Sequence, residues 1–359
     1  MADDELLGGP GRAAGEALET GSRATEATPP APLPHEPKKG RAVPETAALF
    51  GVLVVLIIFF SITSKFFLNT DNLVNILQNV ARIGIIACPA TLLLIAGQFD
   101  LSVGSNAAFA AMVMAVVAAP PGVTKVPFAF GAPLEVAFVV GMLAAVLVGV
   151  VNAMSVTVFR INALITTLVT LAIFRGLAKV LGNGQTIRIE YFDDLGTLRI
   201  LGLPLPVYIF FAMIIAFFLI LRFTTYGRSM YAIGASPTAA RLAGLRTNRA
   251  IFIGFILSSL AAGLSGLVLL SQVGGASINA NIGLELSVVT AVVLGGASLA
   301  GGRGGIVGTI LAVLIVGVLG NGLIQLGVPS FWIEVANGVL LLAAVGFDQL
   351  RVRLTHAAV

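Results

Sequence analysis

The chain has 359 residues, 57% hydrophobic and only 11% charged, where soluble domains carry about 25% charged residues. Its mean hydropathy is +1.01, its net charge is +4, and its one cysteine, Cys88, excludes an intrachain disulfide. These values define an integral membrane protein of many spans and, with no basic patch interleaved with aromatics, give no footing to a nucleic-acid partner.

Residues 1–45 read as a disordered cytoplasmic tail. Pro, Ala, Gly, Glu and Thr dominate it, with PPAPLP at Pro29–Pro34, and too little apolar surface is present to fold it. The first apolar run starts near Thr46, too late and too long for a signal peptide. Lys38, Lys39 and Arg41 precede it and place the N-terminus inside.

Apolar runs follow near 46–64, 80–97, 103–120, 134–156, 163–181, 206–222, 250–272, 284–300, 305–326 and 331–348. A helix needs about 20 residues, at about 1.5 Å each, to cross a bilayer. The pattern predicts an all-α polytopic protein with about ten transmembrane helices. Residues 46–350 form the transmembrane domain, and 351–359 a short cytoplasmic tail. The run 284–300 is short and glycine-bounded, so a re-entrant segment stays open there.

Arginines orient the spans. Ten crossings place Arg160, Arg222, Arg228, Arg241, Arg246, Arg249, Arg303, Arg351 and Arg353 inside. The outer side receives Lys65, Lys125, Arg188 and Arg199, with Glu190, Asp193 and Asp194 in the loop 182–205. The asymmetry fits the positive-inside rule, with both termini cytoplasmic and the chain in the inner (plasma) membrane.

Small residues recur at Gly254, Ser258, Ala262 and Gly266, and again at Gly304, Gly308 and Ala312. A four-residue period puts each set on one helix face, where backbones can approach closely.

Polar groups at membrane depth are few, so each is a candidate. Gln98, Asp100, Ser102, Ser105 and Asn106 interrupt the apolar stretch from Ile83 to Ala119. A charge at the bilayer centre costs about 2.5–3.5 kcal/mol on insertion scales, so Asp100 is expected to face protein or water. Gly97 can end one helix and Asp100 can cap the next, through the amide of Ser102 or Val103. Two readings stay open: a structural break, and a broken helix lining a polar path for a solute. Asn152, Asn162 and Thr166 extend the candidate path, with Thr167 and Thr170 beside them. Each threonine has the alternative of bonding back to its own helix. Asn321 and Asn337 either bridge helices, the favoured reading, or line a path, and Glu285 reads as a helix cap.

The segment Tyr226–Arg249 holds four arginines and no acid. Ser236 can cap and Pro237 can start a short helix that ends near Gly244. Locally this is either an ordinary basic loop or a docking element. GASPTAARLAGLRTNR (Gly234–Arg249) resembles the coupling loop of sugar permeases in ATP-binding-cassette importers of the ribose, xylose and arabinose type. AGQFDLSVGS (Ala96–Ser105) is similar to that family's GGIDLSVGS motif, with Gln98–Phe99 where Gly–Ile is common. RINALITTLVTLAIFRGLA, GASLAGGRGGIVGT and GNGLIQLGVPSFW follow the family in order, while Ser287 and Val288 depart from it. The resemblance covers about residues 45–350.

The resemblance implies that Ala235, Ser236, Pro237, Ala240, Arg241, Leu242 and Gly244 form a loop that sits in a cleft of an ATPase subunit. It also implies a second permease chain, commonly an identical copy, and a periplasmic or extracellular sugar-binding protein. The chain itself lacks a G-x-x-x-x-G-K-[ST] phosphate loop. It is therefore expected to bind no cofactor, metal or ATP, and to act as a transport subunit rather than an enzyme. Permeases for branched-chain amino acids or nucleosides share the architecture and are the alternative. An ion-coupled transporter would need more buried carboxylates or histidines than Asp100 alone, and an intramembrane enzyme lacks a catalytic pair.

Overall fold

The structure is a computed structural model that describes residues 45–122, 126, 129–189 and 198–356. The predicted N-terminal tail, Lys125 and the acidic cluster Glu190, Asp193 and Asp194 lie outside the described residues.

Twelve helices order the described chain: α1 (Glu45–Thr63), α2 (Thr70–Ile95), α3 (Val103–Ala118), α4 (Leu134–Thr157), α5 (Ala163–Leu181), α6 (Leu205–Phe223), α7 (Thr225–Ala235), α8 (Pro237–Leu242), α9 (Thr247–Val273), α10 (Leu284–Leu294), α11 (Ile306–Gln325) and α12 (Phe331–His356). Two ribbons of two-residue strands join them. β1 (Ile187–Arg188) pairs antiparallel with β4 (Gly275–Ala276), and β2 (Arg199–Ile200) with β3 (Leu203–Pro204).

Among the described residues, seven helices are long and apolar enough to cross a membrane: α1, α2, α4, α5, α6, α9 and α11. α3, α10 and the first part of α12 are shorter and apolar. α2, α9 and α11 are buried along most of their length, whereas α1 shows most of its surface. The core therefore forms where α2 and α9 pack with α3, α4 and α11. The outward valines and leucines of α1 and α4 present the apolar exterior that a lipid solvent tolerates.

Close approach is set by small residues. A Cβ on Gly266 of α9 would meet the Ala107 carbonyl of α3, and one on Gly308 of α11 would meet the Gly295 carbonyl. Those positions admit only glycine at this helix spacing. Both belong to the four-residue patterns read from sequence.

Three boundaries differ from the sequence expectation. α2 begins at Thr70 rather than near 80, because Asn72 in its first turn is buried and bonded to α11. The Asn72 and Asn321 side-chain amides exchange bonds of 3.0 and 2.8 Å, and Gln325 donates to Asn72 Oδ1 at 2.7 Å. α10 spans 11 residues, about 16 Å, which is half a bilayer. The loop 295–305 then carries the chain onward, until the Gly302 amide donates to the Ile95 carbonyl at 2.8 Å. Finally, α12 runs to His356, through part of the segment expected as a tail. One end of the bundle thus gathers the foot of α2, the glycine loop, α7 and α8, with Arg222, Arg228, Arg241, Arg246 and Arg249; it is called the arginine end.

Candidate functional site

α2 stops because Gly97 adopts a φ of 71°. The Gly97 amide donates to the Leu94 carbonyl and the Gln98 amide to the Leu93 carbonyl, the paired bonds of a Schellman stop. The chain turns at Asp100, whose Oδ1 accepts from the Ser102 amide at 3.0 Å and the Ser102 hydroxyl at 2.6 Å. Its Oδ2 accepts from the Ser258 hydroxyl of α9 at 2.7 Å.

The network continues outward. Asn152 Nδ2 on α4 donates to the Ser102 hydroxyl at 2.8 Å, and the Thr170 hydroxyl on α5 donates to Asn152 Oδ1 at 2.7 Å. Asp100, Ser102, Asn152, Thr170 and Ser258 are all buried. The break between α2 and α3 is therefore tied to α4, α5 and α9 by one chain of hydrogen bonds. Burying a carboxylate is tolerable only when its lone pairs are satisfied. Here three donors do so, and among the described residues no cation pairs with it.

The other candidate residues fall around this tie. Ser105 donates to the Ser102 carbonyl at 2.8 Å, and Asn106 Nδ2 to the Ala145 carbonyl of α4 at 3.3 Å. Asn106 Oδ1 and the Thr166 hydroxyl are buried with no partner among the described residues. Asn162 stands apart from the network: it caps α5, accepting from the Leu164 amide at 2.9 Å. Gln98 lines two clefts at the arginine end, of 550 and 540 Å³. The first also holds Arg160, Arg241, Arg246 and Arg249, and the second holds Asn162. Glu285 stands in the first turn of α10, with Gly283 at the cap position, and its carboxylate lies 3.9 Å from Arg175 of α5.

The expected short helix after Ser236 exists, with a second helix before it that sequence reading missed. Ser236 ends α7 and caps α8, its Oγ accepting from the Ala239 amide at 3.3 Å, with Pro237 in the first turn. Gly244 has a φ of 81° and turns the chain toward α9. Ala240 is buried, while Leu242 is 85% exposed, with Arg241 beside it in solvent. α7 is pinned by two phenols. Tyr226 donates to the Ala250 carbonyl at 2.9 Å and Tyr231 to the Gly304 carbonyl at 2.8 Å. Burial pushes both phenols above their usual pKa, which keeps them as donors. α8 therefore projects from a base fastened to α9 and to the glycine loop.

A bundle of apolar helices, a buried polar break between α2 and α3, and an exposed short helix on a pinned base make up a polytopic membrane protein. The chain belongs to the family described as branched-chain amino acid transport system, permease component, whose model matches residues 72–345. It is 36% identical to the ribose import permease protein RbsC of Escherichia coli over 311 residues, 85% of this chain and 94% of that protein. It is 38% identical to the L-arabinose transport system permease protein AraH of Escherichia coli, over 84% of this chain and 90% of that one. It is 35% identical to the probable ABC transporter permease protein YphD of Escherichia coli, over 83% and 87%. No solved structure matches it.

Proposed function

We propose that this chain is the membrane-spanning subunit of an ATP-driven importer that carries a monosaccharide across the inner membrane. The observation that carries the sugar reading is the similarity to permeases named for ribose and arabinose over more than four-fifths of the chain. The scarcity of ionisable groups at depth supports a neutral cargo.

In this reading the chain crosses ten times. The seven long helices cross, joined by α3, by α12, and by α10 continued through the loop 295–305. The arginine end faces the cytoplasm. α8 fits a cleft of a separate ATPase, with Leu242 as its apolar contact. ATP-driven closure pushes α8, the pinned α7 passes the movement to α9 and the glycine loop, and the bundle alternates its access. A second copy of the permease completes the pore, and an external binding protein delivers the sugar.

The test is uptake into vesicles holding this chain with its ATPase and binding protein. Labelled ribose, arabinose, xylose, glucose and leucine are offered with and without ATP. ATP-dependent uptake of one sugar establishes the reading. The family's description gives the second reading its footing, and uptake of leucine alone would replace the sugar with a branched-chain amino acid. Uptake driven by an ion gradient without the ATPase would overturn both.

A further inference from the structure

Away from the arginine end, a cleft of 390 Å³ lies between the upper half of α2, the loop before α10, and the start of α12. Its lining includes Asn79, Arg82, Asn281, Ser287, Glu334 and Asn337. None of these belongs to the network around Asp100.

The cleft concentrates unpaired polar atoms. Asn281 is only 7% exposed, yet neither its Oδ1 nor its Nδ2 has a partner among the described residues. The same holds for Asn337 Oδ1 and Arg82 Nε. Buried polar groups are nearly always bonded, and each orphan asks for an occupant. Asn281 is also held in a left-handed conformation, φ 59°, which asparagine tolerates better than most residues. Arg175 of α5 fixes it there, donating to the Ala280 carbonyl at 2.6 Å and the Asn281 carbonyl at 3.2 Å. Asn337 is set by its own bond from Nδ2 to the Ser287 hydroxyl at 3.1 Å, which leaves its oxygen free. Backbone strain held by outside bonds, with the side chain left unsatisfied, is the pattern of a preformed binding position.

We propose that this cleft is a binding site for a small neutral polyhydroxylated solute, the class to which a monosaccharide belongs. The inference deepens the importer reading and rests on it. The free groups are two acceptors, Asn281 Oδ1 and Asn337 Oδ1, and two donors, Asn281 Nδ2 and Arg82 Nε. A hydroxyl both donates and accepts, so neighbouring hydroxyls on one ring satisfy such a mixed set. Ile83, Leu284 and Ile333 line the same cleft and suit the C–H face of a sugar ring. Arg82 and Glu334 bring one charge of each sign, so the lining does not select for an anion.

The chain supplies a clean assay. Its only cysteine, Cys88, is buried, and Asn279 is exposed on the rim of the cleft. Asn279→Cys is labelled in vesicles with a methanethiosulfonate reagent, in the presence of ribose, arabinose, xylose, glucose or leucine. The expected result is slower labelling with the sugar that the wild-type importer carries, about tenfold at about ten times its dissociation constant. Adding Asn281→Gly, which keeps the positive φ, or Asn337→Ala, should abolish that protection. Should one variant fail to reach the membrane, the other reads the same site. If a sugar is carried but gives no protection, or protection survives both substitutions, this site is overturned and the importer reading stands. Protection by leucine and by no sugar overturns the polyol assignment. If no sugar is carried at all, both fall together.

Discussion

Ser258 donates its hydroxyl to Asp100 across 158 positions of sequence, at 2.7 Å and with both residues buried. That bond joins the centre of α9 to the break between α2 and α3. It turns a helix interruption into part of the packed interior.

The first prediction concerns the order of damage around that carboxylate. Asp100→Ala removes the acceptor of three bonds and strands two buried hydroxyls and the Ser102 amide. Each orphaned buried group costs about 1–3 kcal/mol. Ser258→Ala strands only Oδ2 and should cost less. Asp100→Asn keeps Oδ1 and lets the Ser258 hydroxyl turn to accept, so it should fall between wild type and alanine. Unfolding temperature in detergent checks the series. An Asp100→Ala protein as stable as wild type would remove the network from any account of the fold.

A second prediction separates coupling from folding. Arg241 and Leu242 point into solvent, and Gly244 holds a φ of 81° with open space around it. Leu242→Asp should therefore leave the amount of permease in the membrane unchanged, within about 0.5 kcal/mol of wild-type stability. The same variant should lower both ATPase co-purification and ATP-driven uptake by about tenfold or more, the loss of one buried apolar anchor at an interface. Arg241 and Gly244 replaced together should also stop uptake. Full uptake in either variant would show that α8 is not the docking element.

What sequence could and could not reveal divides along range. The Schellman stop at Gly97, the Ser102 bond to Asp100 and the Ser236 cap lie within a few residues, and local rules reach them. Asn321 and Asn337 were legible as bridges because an amide in an apolar helix needs a partner. Ser258 was legible only as a small residue on a packing face; its bond depends on α9 lying beside the break. The start of α2 was lost for a related reason. Thr70, Asp71 and Asn72 look like loop until Asn321 and Gln325 are placed beside Asn72. α7 was hidden because glycines at 227 and 234 weaken helix propensity, and its burial against α2 and the glycine loop supplies what propensity lacks. Glu285 was legible as a first-turn acid of α10, while its approach to Arg175 depends on α5 lying beside that helix.

The third prediction tests the junction where α7 meets the chain's return path. A Cβ on Gly234 would collide with the Ile95 carbonyl and approach the Gly302 amide, which are bonded to each other at 2.8 Å. The obstruction is backbone on both sides, so no side-chain rotation relieves it. Gly234→Ala must then move α7 away from α2 or break that bond. Overpacking of this kind costs about 1–3 kcal/mol. Gly176→Ala is the matched control. It lies within α5 with nothing inside 4 Å of the added carbon, and alanine there should stabilise by up to about 1 kcal/mol. Unfolding temperatures should therefore move in opposite directions for the same chemical change. Because Gly234 sits two residues before Ser236, Gly234→Ala should also depress ATP-driven uptake beyond its effect on membrane level, while Gly176→Ala should not. Equal shifts in the two proteins would mean that α7 is loosely seated. The pinned base would then give no route for motion from α8 into the bundle.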